Sequence, residues 1–174
     1  MSDIVFRTPT PADLPALCEL GRQTFIETFG HLYAKHDLDH FLVTVFGPDG
    51  MPVEFADPAY AFRIAEAGGQ MVAYCKVGPP YLPVEDDGRS KCELRQLYIL
   101  KAWHGRGIAQ PMMAWALEWA NAGGWQDMYL TVWSENYRAQ KVYENYGFEK
   151  VGDYRFMVGE QADHDFIYRK VLRP

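Results

Sequence analysis

The sequence of 174 residues is short of the features that mark several protein classes, and each shortage excludes something. Cysteine is scarce: Cys18, Cys75 and Cys92 form an odd, scattered set with no C-x-x-C spacing. Such a set supports neither a disulfide framework nor a zinc site, so no metal is expected. Each cysteine falls within an apolar pattern, and all three are expected in the core. Long hydrophobic runs are missing too, and none approaches the roughly 20 residues that span a bilayer. The opening Met1-Ser2-Asp3-Ile4-Val5-Phe6-Arg7 lacks the basic-then-apolar layout of a secretory leader. The expectation is a cytoplasmic chain with no membrane partner. Positive charge is the minority sign, 17 Lys and Arg against 23 Asp and Glu, for a formal net charge of −6. A duplex-binding protein shows a basic stripe, and its absence argues against a nucleic-acid partner. Neither G-x-x-x-x-G-K-[ST] nor G-x-G-x-x-G occurs, which removes the P-loop and the dinucleotide fingerprint.

What is present reads as a single domain over 1–174. Hydrophobic residues make up 48% and charged residues 23%, the balance of a globular chain rather than a disordered or fibrous one. Ile4–Arg7 is a short apolar strand, and Pro11 with Asp13 opens a helix. Leu14, Leu17, Gly21, Phe25 and Thr28 recur on its core-facing stripe. His36–Phe46 reads as a second helix, ended by the turn Gly47-Pro48-Asp49-Gly50. Ala61–Glu66 and Gln70–Val77 are strands around Gly68-Gly69, a hairpin signal. Pro79–Ser90, rich in Pro, Asp and Gly, is expected as an exposed loop. Lys91–Leu100 is a strand whose apolar end, Leu97–Leu100, suggests a central position covered on both faces. A helix follows, with Ile108, Met112, Trp115, Ala116 and Trp119 on one stripe and Gly123-Gly124 as its end. Met128–Trp133 is a strand, Asn136–Tyr146 a helix, and Phe148–Val158 and Phe166–Leu172 close the chain as strands.

The most informative segment runs from Leu97, Tyr98 and Ile99 through Trp103-His104-Gly105-Arg106-Gly107-Ile108-Ala109. A buried strand leads by a short turn into a helix whose approach holds two glycines. The first amides of a helix have no internal partners and lie at the positive end of its dipole. Glycines let a pyrophosphate come close to them, so this junction is a candidate anion site. Arg106 adds a cation. A tight connection with no ligand is the plainer alternative for these residues taken alone. Further on, Asn136 can cap the next helix and Gly147 can end it, in a pattern that also holds Ala139, Tyr143 and Phe148.

These two segments together resemble the GNAT N-acetyltransferases. Their pyrophosphate motif [QR]-x-x-G-x-[GA] is similar to His104–Ala109, with Gly107 and Ala109 in place and His104 departing at the first position. Their N-x-x-A-x-x-x-Y-x-x-x-G-F pattern matches Asn136 to Phe148 in full. Phe25-Ile26-Glu27-Thr28-Phe29, Glu93–Ile99, Val132–Asn136 and the tail Phe156–Gly159 with Asp163–Lys170 further resemble bacterial spermidine/spermine N-acetyltransferases of the PaiA type.

The resemblance implies an α/β (α+β) fold with a mixed seven-stranded sheet flanked by about four helices. It implies acetyl-CoA held by Leu97, Tyr98, Ile99, His104, Gly105, Arg106, Gly107, Ile108, Ala109, Asn136, Ala139 and Tyr143. The strand after Lys91 and the Met128–Trp133 strand are expected to splay and admit the pantetheine arm, with a main-chain N–H facing the oxyanion. The activity implied is acetyl transfer to a primary amine, with a polyamine as a candidate, by direct attack. At a lysine-like pKa near 10.4 only about one amine in a few thousand is neutral at pH 7, so a base is needed. Glu93 is the candidate base; it lies four residues before Leu97, roughly 13 Å along a strand, which favours a water relay. Tyr143 is the candidate acid for the departing thiolate. Glu27, Phe29, Tyr33 and Tyr81 are candidates for an acidic, aromatic pocket around a cation. A small-molecule amine is the expected partner, and a homodimer stays open. A non-catalytic acyl-CoA sensor and a protein or peptide N-acetyltransferase remain as alternatives.

Overall fold

Gly68 and Gly69 both take positive φ, and the hairpin they close is the first anchor of the sheet. The computed structural model describes residues 3–174. In chain order the strands are β1 (Ile4–Arg7), β2 (Ala61–Ala67), β3 (Gln70–Gly78), β4 (Lys91–Ile99), β5 (Asp127–Trp133), β6 (Glu149–Val158) and β7 (Gln161–Val171). The helices are α1 (Leu14–Phe29), α2 (Lys35–Phe46), α3 (Met51–Ala56), α4 (Ala109–Ala122) and α5 (Tyr137–Asn145). The sheet is seven-stranded in the order β1-β2-β3-β4-β5-β7-β6. Every neighbouring pair is antiparallel except β4 and β5, which run parallel. The α/β class, the mixed sheet and the four longer helices are as expected. No helix among the described residues is long and apolar enough to cross a membrane.

Two apolar layers hold the sheet. On one face Val72, Cys75, Cys92, Met128 and Leu130 pack under Met112, Met113 and Ala116 of α4. On the other, Phe62, Ile64 and Tyr74 pack under Leu17, Phe25 and Phe46 of α1 and α2. Gly21 is required here: a Cβ on it would lie 2.4 Å from the Phe46 ring, so only glycine lets α1 approach α2 so closely. All three cysteines are buried and free.

The structure departs from the expected elements at three places. The short helix α3 follows the 47–50 turn and carries too few residues to show a helical period; its Glu54 pairs with the buried Lys76 at 2.5 Å. The 79–90 loop is not wholly exposed, because Leu82 is buried against Tyr129 and Ile167. Leu97–Leu100 are half-buried rather than covered on both faces, since the sheet opens beside them. Elsewhere the ends of strands and helices move by a few residues, with β7 starting at Gln161 instead of Phe166.

Candidate active site

β4 and β5 pair only through Lys91↔Asp127, Cys92↔Met128 and Glu93↔Tyr129. Beyond Glu93 they separate, while β5 stays paired with β7 as far as Trp133↔Asp165. The expected splay is therefore present, and it leaves the β4 edge from Leu94 to Ile99 with free backbone groups toward the gap. A register shift opposite Lys76/Val77 leaves Arg95 as a bulge in β4, the kind of irregularity that bends a strand away from its neighbour.

At the end of the gap lies the glycine turn. Gly105 and Gly107 have φ of +76° and +78°, a conformation that L side chains rarely adopt. A Cβ at either would meet nothing within 4 Å, so the space before these residues is open. No side chain caps the start of α4, and its first amides keep their donors for a ligand. The turn is braced from behind: Ile108 is buried, the Arg106 guanidinium lies 4.7 Å over the Trp103 ring, and His104 Nε2 sits 2.9 Å from the Ile99 carbonyl. His104 thus ties the turn back to β4.

The turn opens onto a groove of about 530 Å³ whose walls include Ile99, Trp103, Gly107, Arg138 and Val142. The groove joins the two motifs, and Arg138 adds a cation that the sequence reading missed. Asn136 caps α5, its Oδ1 accepting from the Ala139 amide at 3.2 Å. Tyr143 faces inward from α5, its ring 6.1 Å from Phe148. Burial first, and Cys75 second, push its hydroxyl well above the usual phenol value, which keeps the proton in place. Open glycine amides, an uncapped helix start and an arginine beside the groove fit a diphosphate, and the splay fits a narrow arm.

The opposite face of the splay is acidic and aromatic. Phe29 packs edge-on against Trp133, with centroids 6.1 Å apart, and Tyr33 donates its hydroxyl proton to Asp163. Tyr81 is exposed beneath the Arg95 guanidinium, 4.8 Å from its centroid. Glu27 does not join these residues: its Oε2 accepts from the Lys101 amide at 2.8 Å, fastening α1 to the turn before Trp103. Glu93 is buried, and its Oε2 accepts from the amides of Tyr81 and Leu82 at 2.6 and 3.2 Å. Its Oε1 faces Arg95 Nε at 3.9 Å. Burial raises the Glu93 carboxyl above its ordinary value, against the lowering pull of Arg95 and the two amides.

Three further residues of this face went unread in the sequence. Asp163 and Asp165 of β7 are 9% and 7% exposed, and Tyr154 of β6 pairs across with Asp165. In sequence the two aspartates sit in a polar stretch, Gln161 to Asp165, that looks like surface, and Tyr154 sits in a polar strand; the β6–β7–β5 register brings them to one place.

A family profile described as the Acetyltransferase (GNAT) family matches residues 15–148. An N-acetyltransferase of Lactobacillus delbrueckii subsp. lactis is 26% identical over 92% of this chain and 92% of its own length. One from Mycobacterium tuberculosis is 32% identical over 67% of this chain and 70% of its own length. Among solved structures, a PaiA N-acetyltransferase of Thermoplasma acidophilum in complex with coenzyme A superposes with a TM-score of 0.75 at 18% identity, covering 97% of this chain and 99% of that one. That likeness is one of fold. With more than three-quarters of the chain inside the profile, the protein belongs to the GNAT family and is an N-acetyltransferase that uses acetyl-CoA.

Proposed function

We propose that the acceptor is a small cationic primary amine, with polyamines such as spermidine and spermine as the leading class. The observation that carries this is the pair of buried carboxylates, Asp163 and Asp165, on the acceptor side of the splay. Burying a carboxylate is costly unless a cation or donors compensate it; Asp163 has donors in Tyr33 and Gln161, whereas Asp165 has none among the described residues, so this acidic face favours a charged ammonium as occupant. Phe29, Tyr33, Tyr81 and Tyr154 supply faces and hydroxyls suited to a methylene chain carrying cations.

The bound thioester supplies an activated acetyl group. The amides from Gly105 to Ala109, with Arg138, hold the diphosphate, and the free edge of β4 at Leu97 and Ile99 aligns the arm. Attack is direct, with Tyr143 protonating the departing sulfur. Glu93 acts by fastening the 79–90 loop over the acceptor side, and its Arg95-facing oxygen is the remaining place for a water relay.

A thiol-release screen with acetyl-CoA and polyamines, amino acids, aminoglycosides and peptides tests this reading. Release with polyamines above the other classes is expected. Release with peptides alone would replace the acceptor, and acetyl-CoA binding with no release would support a sensor.

A further inference from the structure

Among the carboxylates around the splay, two are already engaged. Glu93 Oε2 takes two amides and its Oε1 faces Arg95. Asp163 accepts from the Tyr33 hydroxyl and from Gln161 Nε2 at 3.1 Å. Asp165 is different. The residue is 7% exposed, yet among the described residues no group donates a hydrogen bond to it, and its oxygens are not among the fully enclosed polar atoms. It stands opposite Trp133, the last residue of β5, where the gap between β4 and β5 is open.

We infer that Asp165 is the group that takes the proton from the acceptor ammonium, an assignment that rests on the amine-acetyltransferase reading above. Tyr98, across the gap on β4, feels the charges of both Tyr143 and Asp165. Tyr98, Tyr143 and Asp165 come from β4, α5 and β7, the elements that lie around the opening between β4 and β5. Asp165 shares the buried face of β7 with Asp163, which holds the Tyr33 hydroxyl, and pairs with Trp133, against which Phe29 packs.

The step balances as follows. The ammonium gives one proton to the Asp165 carboxylate, and its lone pair forms the N–C bond to the acetyl carbon. The C–S bond breaks, the sulfur takes a proton from Tyr143, and the second nitrogen proton restores that tyrosine. Asp165 returns its own proton to solvent.

Burial first, and the neighbouring Asp163 second, raise the Asp165 carboxyl to about 7, against a lowering pull from His164. The other ionisable groups facing it are Tyr33 before α2, Tyr98 on β4 and Tyr154 on β6, each of which holds its proton through this range. A carboxyl poised there suits proton transfer at neutral pH.

The test is the pH profile of kcat/KM for Asp165→Asn and Asp165→Glu beside the wild type, using a polyamine that the screen identifies. The wild type should show an acid limb with its midpoint at about 7 and a plateau above it. Asp165→Asn should lose about a hundredfold at pH 7 and then climb about tenfold per pH unit toward the amine pKa of about 10, because only neutral amine can react. Asp165→Glu should keep the plateau. An unchanged profile in Asp165→Asn overturns the assignment while leaving the acetyltransferase reading intact; no thiol release by the wild type with any amine overturns both. A 13C carboxyl titration needs no turnover: one aspartate signal with a midpoint of about 7, missing in Asp165→Asn, is expected, and aspartates titrating only in the ordinary range overturn it.

Discussion

Glu93 on β4 accepts a 2.6 Å hydrogen bond from the backbone amide of Tyr81, so a buried strand carboxylate sets the position of the loop at the mouth of the site. Glu93→Gln keeps one acceptor and loses the charge that both amides share with it. Hydrogen exchange across 79–90 should quicken, and KM for the amine should rise several-fold while kcat falls by no more than about threefold, in line with the loss of one charge-assisted hydrogen bond. A collapse of kcat together with loss of the acid limb would instead make Glu93 the proton acceptor.

Gly107 has φ of +78° and open space where a side chain would go. An alanine there costs roughly 1–2 kcal/mol of backbone strain and sets a methyl group over the amides meant for the diphosphate. Gly107→Ala should remain folded, with Tm lowered by a few degrees, and weaken coenzyme A at least about tenfold in calorimetry. An unchanged Kd would show that the diphosphate lies elsewhere.

Tyr143 keeps its proton because desolvation pushes its hydroxyl well above the usual phenol value. Tyr143→Phe retains the packing against Phe148 and removes only the donor. Turnover should fall about a hundredfold with coenzyme A affinity unchanged. Equal turnover would remove the acid role.

Asp165 also has a signature in stability. Its carboxyl binds a proton more tightly in the folded chain than in the unfolded one, so this group favours folding below the ordinary value of 3.8, and the advantage is lost as pH rises through about 7. Asparagine does not titrate. Asp165→Asn should therefore be more stable than the wild type at pH 8, by up to about 4 kcal/mol, with the difference shrinking toward pH 4. A mutant less stable than the wild type at pH 8 would mean that the carboxylate is satisfied in the free protein. Gain of stability with loss of activity is the pairing expected of a group held for catalysis.

The cofactor half of the site was legible because its signals are local. Gly105 and Gly107 announce positive φ, Asn136 announces a helix cap, and the apolar run at Leu97 announces a central strand; each depends on neighbours a few residues away. The acceptor half was not legible, because its residues meet only through sheet register. Asp165 turns inward by pairing with Trp133 on one side and Tyr154 on the other. Glu27 has the residue type for a cation pocket, but the Lys101 amide, 74 positions away, claims it. α3 was hidden for the opposite reason, since six residues are too few for an amphipathic period.

The most direct measurement is a calorimetric titration with acetyl-CoA, accompanied by amide hydrogen exchange. The account predicts saturable heat and strong protection concentrated at Gly105–Ala109, with weaker protection along Leu97–Ile99. Heat without protection at Gly105–Ala109, or no heat at all, would contradict it.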